Sequence, residues 1–218
     1  LFALVDGNRR KASPRLSGQC PGCGSALIPK CGELRAWHWA HRGERRCDPW
    51  WEESEWHRKW KDRFPPEWQE IVQLAPNGEK HIADIRTPDG RVIEFQHSPL
   101  AKEERDARET FYKPMFWVVD GLVRKRDLKN FNKIVEMARQ GAWVSAADML
   151  ACALVRDWVG RPVHVFFDFG EPILWHLHPS LNGRVAITPL SVEAFVAAFH
   201  NSVSFRPTPT KRDGHLRL

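Results

Sequence analysis

Alternation of apolar and polar residues predicts several short β-strands in the middle of the chain. The predicted strands are Glu70–Ala75, His81–Thr87, Arg91–Ser98, the continuous apolar run Met115–Val119, and the hairpin formed by Val163–Phe169 and Ile173–Leu177. Helical spacing of apolar residues predicts helices at Trp50–Arg63, Ala101–Tyr112, Arg126–Ala138, Ala146–Trp158 and Val192–His200. Strands interleaved with helices indicate an α/β protein with a mixed sheet flanked by helices.

The flanking segments have a different character from this α/β region. Residues 1–19 are rich in Pro, Ser and Gly towards their end and predict a flexible N-terminal segment, and residues 20–49 contain many turn residues and no long periodic element. Residues 50–200 then form the α/β domain with its C-terminal extension, and residues 201–218 predict a basic, disordered tail. A chain of 218 residues has room for one such domain and a small additional module.

Composition narrows the classes of partner and compartment. The chain has 33 Lys and Arg against 27 Asp and Glu, a formal charge of +6, and a pI near 9.2. This balance favours polyanionic partners such as DNA. No stretch has the roughly 20 apolar residues of a membrane helix, and the first residues lack a signal-peptide core. We therefore expect a soluble, cytoplasmic protein.

Four of the five cysteines lie within the first fifty residues, which is typical of a metal site rather than of a secreted disulfide framework. Cys20 and Cys23 form a C-x-x-C turn, and His38 and His41 follow fifteen and eighteen residues after Cys23. Together they predict a structural Zn²⁺ site in a zinc-ribbon-like module. Cys47 is an alternative fourth ligand to His38, and tryptophan packing without any metal is the alternative for the whole module.

The segment from His81 to Gln96 predicts a hairpin that carries two carboxylates. Pro88, Asp89 and Gly90 make a three-residue turn between the two strands, which pairs Thr87 with Arg91. Counting back along both strands then places Asp84 opposite Glu94, with Gln96 on the same face. Strict alternation places Ala83, Ile85, Ile93 and Phe95 on the opposite, apolar face. Two carboxylates in this position favour a site for Mg²⁺ or Mn²⁺, although an ordinary surface hairpin would have the same turn.

Asp84, Glu94 and Gln96 resemble the active-site pattern of the PD-(D/E)XK nucleases, with Gln96 where Lys is usual. A wider set of motifs resembles the competence protein CoiA family. These motifs are Cys20-Pro-Gly-Cys, His38-Trp-Ala-His, Glu53-Ser-Glu-Trp-His57, His81-Ile-Ala-Asp84, Ile93-Glu-Phe-Gln-His-Ser98, Arg108-Glu and Tyr112. The resemblance covers about residues 20 to 120. It implies a zinc-ribbon-like module followed by a restriction-endonuclease-like nuclease domain, with Asp84, Glu94 and Gln96 at its active site.

Several further residues are candidates for supporting roles. Helical spacing places Glu53, His57 and Lys61 on one stripe of a helix. Glu53 would complete the metal site, with Glu55 as the alternative. His57 would act at the phosphate or the leaving group, and Lys61 would bind DNA. A solvated row of ion pairs beside buried tryptophans is the alternative interpretation. Arg105, Arg108 and Tyr112 share a helix face and are candidates for phosphate binding, although a charged solvent face has the same pattern. His164, His176 and His178 are interpreted as structural.

The sequence therefore predicts a Mg²⁺- or Mn²⁺-dependent deoxyribonuclease with structural Zn²⁺. Its expected setting is DNA processing in competence, recombination or phage defence, with DNA and proteins of those processes as partners. The alternative function is a zinc-containing adaptor that binds DNA or a recombination partner without catalysis. Nothing in the sequence distinguishes single-stranded, duplex or branched substrates.

Overall fold

The computed structural model describes residues 2–34, 36–43, 53–139, 146–179, 184–202, 205 and 215–217. Its N-terminal part is a five-stranded antiparallel sheet in the order β2-β1-β3-β4-β5. The strands are β1 (Ala3–Val5), β2 (Asn8–Arg10), β3 (Gly18–Gln19), β4 (Ala26–Lys30) and β5 (His38–His41). The flexible segment predicted for residues 1–19 is thus partly a hairpin, because Asp6 and Gly7 both have positive φ and form a tight two-residue turn.

The larger part of the chain contains an eight-stranded mixed sheet in the order β13-β12-β11-β10-β9-β8-β7-β6. The strands are β6 (Gln69–Leu74), β7 (Lys80–Arg86), β8 (Val92–Gln96), β9 (Met115–Asp120), β10 (His164–Asp168), β11 (Ile173–Leu177), β12 (Arg184–Ser191) and β13 (His215–Arg217). The three central strands β8, β9 and β10 are parallel, and the strands on either side pair antiparallel. The prediction of a mixed sheet is confirmed.

Helices cover both faces of this sheet. They are α1 (Glu55–Lys61), α2 (Lys102–Phe111), α3 (Leu128–Arg139), α4 (Ala146–Ala151), α5 (Ala153–Trp158) and α6 (Val192–His200). The predicted helix from residue 50 begins only at Glu55, because Ser54 is its N-cap, and residues 50–52 lie outside the described part. The predicted helix 146–158 is divided at Cys152. No described helix has the length and apolar character needed to span a bilayer.

The two faces of the central strands carry separate hydrophobic clusters. On β9, Trp117 and Val119 pack with residues of α3 and α5, whereas Phe116 and Val118 pack with residues of α1 and α6. Ile85, Ile93 and Phe95 belong to the second cluster, as the alternation predicted. Ala83 belongs to the first cluster instead. The backbone pairing of β7 with β8 covers only the two residues of β7 nearest the turn, so alternation within the hairpin does not extend to Ala83.

The far edge of the sheet departs most from the sequence prediction. Strand β12 was not predicted, because Pro189 lies within it and lacks the amide hydrogen that strands normally use. Strand β13, within the segment predicted as a tail, pairs with β12 through Arg184–Arg217, Val185–Leu216 and Ala186–His215.

Candidate functional site

The hairpin of β7 and β8 has the register that the turn chemistry predicted. The Thr87 amide donates to the Arg91 carbonyl at 2.9 Å, and Gly90 has φ of +87°. The backbone pairs are Arg86 with Val92 and Ile85 with Ile93. Asp84 and Glu94 are the next residues of the two strands, one position further from the turn. Both carboxylates therefore lie where the regular backbone pairing of β7 with β8 ends.

These two carboxylates form crossed hydrogen bonds between the strands. Asp84 Oδ2 accepts the amide of Phe95 at 2.9 Å, and Glu94 Oε1 accepts the amide of Asp84 at 3.2 Å. Both side chains are buried, at 6% and 4% exposed. Burial raises the pKa of Asp84 above its usual range, although the charge of nearby Lys61 acts in the opposite direction. The structure therefore holds two acidic groups together inside the protein.

Two buried cations compensate this negative charge. Arg108, on α2, contacts Glu94 Oε2 at 3.1 Å and also pairs with Glu104. Lys61, on α1, pairs with Glu53 and with Glu70 at 2.7 Å each, and its charge also acts on Asp84. Burial tends to lower the pKa of Lys61, but the surrounding carboxylates raise it overall, so this side chain remains charged.

His57 joins the start of α1 to the end of the carboxylate strand. Its Nδ1 accepts the amide of Ser54 at 3.2 Å and completes a capping box, and its Nε2 lies 2.5 Å from the carbonyl oxygen of Phe95. An amide can only donate and a carbonyl can only accept. These partners therefore fix the neutral tautomer with hydrogen on Nε2, and both ring nitrogens serve to position the backbone.

Gln96 follows at the carboxyl end of β8. Its Nε2 donates to the Ser98 carbonyl at 2.5 Å. A cavity of about 20 Å³ lies beside it, bordered also by Arg105, Asp120 and Asp157. This volume is about that of one water site, so Gln96 lies next to a polar space in which a water molecule fits.

The structure does not present the remaining candidates as a DNA-binding surface. Lys61, Arg105 and Arg108 are 2%, 8% and 6% exposed, and Tyr112 lies in the hydrophobic core at 2%. Arg105, Arg108 and the C-cap residue Tyr112 share one face of α2, as their spacing predicted, but that face packs inward. Its cations make contacts inside the protein, such as Arg105 over the Trp158 ring. No phosphate would reach these side chains in this conformation.

Glu53 and Glu55 are separated by the start of α1. Glu53 precedes the N-cap and turns inward to Lys61; burial raises its pKa, but the contact with Lys61 lowers it overall. Glu55 is in the first helical turn and pairs with Lys59 in solvent. Glu53 is therefore the acidic residue of this segment that belongs to the buried charge cluster.

A second group of potential ligands lies in the N-terminal sheet. Cys20, Cys23 and His41 have ligand atoms within 4.8 Å of one another, and Cys23 Sγ lies 3.4 Å from His41 Nε2. The turn is closed by the Gly24 amide, which donates to the Cys20 carbonyl at 2.8 Å. Two sulfurs and an imidazole suit a metal ion such as zinc.

His38 is not part of this group. It is three residues from His41 on β5, and successive strand residues point to opposite sides, so the two side chains diverge. The His38 ring instead contacts the Ala36 carbonyl at 2.9 Å. Cys31 is also outside the group, and Cys47, the alternative fourth ligand, lies outside the described residues.

Comparison with known families identifies this N-terminal part. Residues 9–49 match the family model described as competence protein CoiA, N-terminal domain. This region is therefore similar to the N-terminal domain of competence protein CoiA, and it is called the CoiA domain below. This confirms the resemblance for the CoiA domain, while the carboxylate hairpin lies beyond the matched residues. Neither the comparison with curated proteins nor that with solved structures gave a match.

The CoiA domain contacts the segment that carries Lys61 and Glu70. Arg9 donates to the carbonyls of Pro66, at 3.2 Å, and of Gln69. Nearby, the amide of Phe2 donates to Glu70 Oε2 at 2.7 Å. Glu70 thus links the N-terminal segment before the CoiA domain to the buried cluster around Asp84 through Lys61.

Three acidic residues of this region were missed by sequence reasoning. Glu70 is one, and the others are Asp120 and Asp168, at the carboxyl ends of β9 and β10. Asp120 contacts His97 at 2.8 Å, and Asp168 Oδ2 accepts the indole hydrogens of Trp56 and Trp60 at 2.9 and 2.8 Å. The available signal was a long apolar strand that ends in Asp, in Met115–Asp120 and again in His164–Asp168.

Proposed function

We propose that this protein is a metal-dependent deoxyribonuclease of the PD-(D/E)XK type that acts in DNA processing linked to competence. The observation that carries the proposal is the pair of buried carboxylates, Asp84 and Glu94, joined by crossed hydrogen bonds on adjacent strands. Similarity of the CoiA domain to a competence protein family supports the biological setting. The mixed sheet with helices on both faces is compatible with a restriction-endonuclease-like domain.

The donor atoms around this pair fit a hard divalent cation. Two carboxylates and the nearby Phe95 carbonyl offer oxygen ligands, which Mg²⁺ and Mn²⁺ prefer over nitrogen or sulfur. Carboxylate and carbonyl oxygens each accept more than one partner, so their present hydrogen bonds do not exclude a cation. Asp84, Glu94 and the Phe95 carbonyl would hold the ion, which when bound would lower the pKa of a coordinated water.

The remaining residues have separate tasks in this proposal. Gln96 orients the attacking water by hydrogen bonding, since a glutamine side chain cannot gain or lose a proton at neutral pH. The PD-(D/E)XK pattern usually has a lysine at the position of Gln96. Lys61 instead supplies a buried positive charge beside Asp84. His57 holds the Phe95 carbonyl in place through Nε2. Glu53 positions Lys61.

The test is cleavage of labelled single-stranded, duplex and branched DNA by protein already loaded with zinc, with Mg²⁺ or Mn²⁺ added. We expect cleavage by the wild type and a loss of about 10³-fold or more in Asp84→Asn and Glu94→Gln, since metal and charge terms of this kind are worth several kcal/mol. Asp62→Asn is the matched control, because Asp62 is an exposed carboxylate whose ion pair is with Lys11. A wild-type rate in Asp84→Asn would rule out this site.

One observation favours the alternative of a non-catalytic adaptor. Glu94 has protein partners on both oxygens, namely the Asp84 amide and Arg108, as expected of a carboxylate with a purely structural role. An adaptor would bind DNA or a partner protein equally well in wild type and in Glu94→Gln, and neither protein would cut DNA with either metal. Binding without cleavage would therefore favour the adaptor.

A further inference from the structure

Three histidines form a compact group at the other end of the eight-stranded sheet. His164 begins β10, His176 lies on β11, and His178 directly follows the end of β11; the register places all three on the same face of the antiparallel pair. Their ligand nitrogens lie within 4.8 Å of one another, and His164 Nδ1 is 2.8 Å from His176 Nε2. The sequence interpretation of these residues as structural did not foresee this convergence, since it depends on the register of the two strands.

We propose that His164, His176 and His178 bind one divalent transition-metal ion of the zinc type. This site is separate from the Cys20, Cys23 and His41 group, and it does not depend on the proposed nuclease function. Three neutral imidazoles around one open position form a ligand set that zinc uses in proteins. Because the group contains neither carboxylate nor thiolate, imidazole-binding metals are favoured over Mg²⁺ or Ca²⁺.

The spacing of the three rings is close to what such an ion requires. Tetrahedral zinc with ligand distances of about 2.0 to 2.1 Å separates its nitrogen ligands by about 3.3 Å. The observed spread of up to 4.8 Å closes to this value with side-chain adjustments of about 1 Å. The hydrogen bond between His164 and His176 already brings two of the ligand nitrogens together.

Contacts around the group orient the rings. The Nε2 of His178 contacts Thr188 Oγ1 at 2.8 Å, which assigns Nδ1 as its ligand nitrogen. A second ring nitrogen fixed by a hydrogen bond is the usual companion of metal ligation by histidine. Phe166 stacks on His176 with ring centroids 4.2 Å apart, and Phe116 stacks on His164 at 5.6 Å.

The protonation state of the group is suitable for ligation. Burial, and then the neighbouring His178, lower the pKa of His164 to about 4, and the same two causes lower the pKa of His176. The rings of His164 and His176 are therefore uncharged at neutral pH and can offer lone pairs. His164 is only partly buried, whereas His176 and His178 are buried.

The first test counts zinc. The full chain is stripped with a chelator and titrated with Zn²⁺ in equilibrium dialysis. We expect one ion at this site in addition to any at the cysteine group, and we expect His176→Gln to bind one ion fewer than the wild type. His200→Gln is the matched control, because His200 is an exposed histidine on α6 outside the group. Equal zinc content in wild type and a folded His176→Gln overturns the proposal.

A second test does not require a variant at a fully buried position. His164→Phe removes one ligand and keeps a ring of similar shape in the aromatic stack, and it should weaken binding at this site by roughly tenfold or more. Co²⁺ titration of the wild type provides an independent readout. Ligation by thiolates gives charge-transfer bands, whereas the histidine site adds only ligand-field bands. A titration that ends with thiolate bands alone contradicts the histidine site.

Discussion

Asp84 and Glu94 each accept a hydrogen bond from the backbone of the opposite strand: Asp84 from the Phe95 amide at 2.9 Å, and Glu94 from the Asp84 amide at 3.2 Å. These carboxylates take the place of carbonyl oxygens at the point where regular pairing of β7 and β8 ends. Any substitution in the pair therefore affects the hairpin as well as the chemistry. Variants that keep an acceptor oxygen are needed to separate the two effects.

Asp84→Asn is such a variant, and its effect on stability depends on pH. The asparagine oxygen still accepts the Phe95 amide, while the buried charge is removed. Because the folded-state pKa of Asp84 is raised, its protonated form contributes stability that is present below the unfolded pKa and lost as pH rises through the folded pKa. We expect Asp84→Asn to be more stable than wild type at pH 7 by about 1 kcal/mol, with the gain shrinking in acid.

Urea unfolding of both proteins at neutral and acidic pH measures this difference. Asp62→Asn is again the control, since the exposed pair with Lys11 should give little change at either pH. A large loss of stability in Asp84→Asn at pH 7 would mean that attraction to Lys61 outweighs the burial of the carboxylate.

Glu70→Gln should show the opposite pH dependence. Burial tends to raise the pKa of Glu70, but Lys61 lowers it to about 2 overall. A carboxylate with a depressed pKa contributes stability above its unfolded pKa, about 4.5, and this is lost as pH falls towards 2. We expect the variant to lose about 3 kcal/mol at pH 7, because Lys61 remains buried with one partner fewer.

The comparison of unfolding free energies at pH 7 and pH 3 tests the Glu70 contribution, since the deficit of Glu70→Gln should be clearly smaller at pH 3 and should vanish only as pH falls through the folded pKa of about 2. Glu55→Gln is the matched control on the neighbouring helix. Its carboxylate pairs with Lys59 in solvent, so its replacement should change neither value measurably. A deficit independent of pH would show that the pair with Lys61 is not its source.

His57 should act through position and not through proton transfer. Its two nitrogens hold the Ser54 amide and the Phe95 carbonyl, so His57→Ala should cost about 1 to 2 kcal/mol of stability. His57→Gln keeps hydrogen-bonding groups and should retain more stability. If DNA is cleaved, the pH profile of the rate should have the same shape in wild type and His57→Gln. The disappearance of one limb of that profile would assign His57 as an acid or base instead.

The hairpin could be predicted from the sequence because its register depends on local chemistry. Pro88 and Gly90 fix the turn, and the turn fixes which residues face each other along the two strands. The same reasoning assigned Arg105 and Arg108 to one helix face. It could not tell that this face packs inward, because burial of Arg108 depends on Glu94, a partner on β8 rather than on the same helix.

Features that depend on distant pairing were beyond sequence reasoning. The histidine group depends on the register between β10 and β11, and the sequence predicted this hairpin without fixing which of its residues face each other. Likewise, Glu70 is buried only because Lys61 and the Phe2 amide meet it. By contrast, the pairing of Cys20 with Cys23 could be predicted, because the two residues are close enough in sequence to converge locally.

Removal of the cysteine ligands should affect the CoiA domain alone. Cys20→Ser should lose bound zinc and the stability that metal ligation provides to a small domain. Cys31→Ser is the matched control, because Cys31 packs against the same hydrophobic cluster but lies outside the ligand group. Zinc content and thermal unfolding of the purified variants measure both effects. Equal zinc content in Cys20→Ser and wild type would place the ion elsewhere.

Mutations can decide which of two residues, His38 or Cys47, is the fourth ligand of a zinc ion bound by Cys20, Cys23 and His41. His38 points away from His41 across β5 and contacts the Ala36 carbonyl, so His38→Asn should retain zinc at wild-type affinity. Cys47 is the remaining sequence candidate, and we expect Cys47→Ser to weaken zinc binding by roughly tenfold or more, since loss of a ligand exceeds the effect of losing an outer partner. Competition with a fluorescent zinc chelator measures both affinities. Weaker binding in His38→Asn with unchanged binding in Cys47→Ser would require β5 to rearrange when zinc binds.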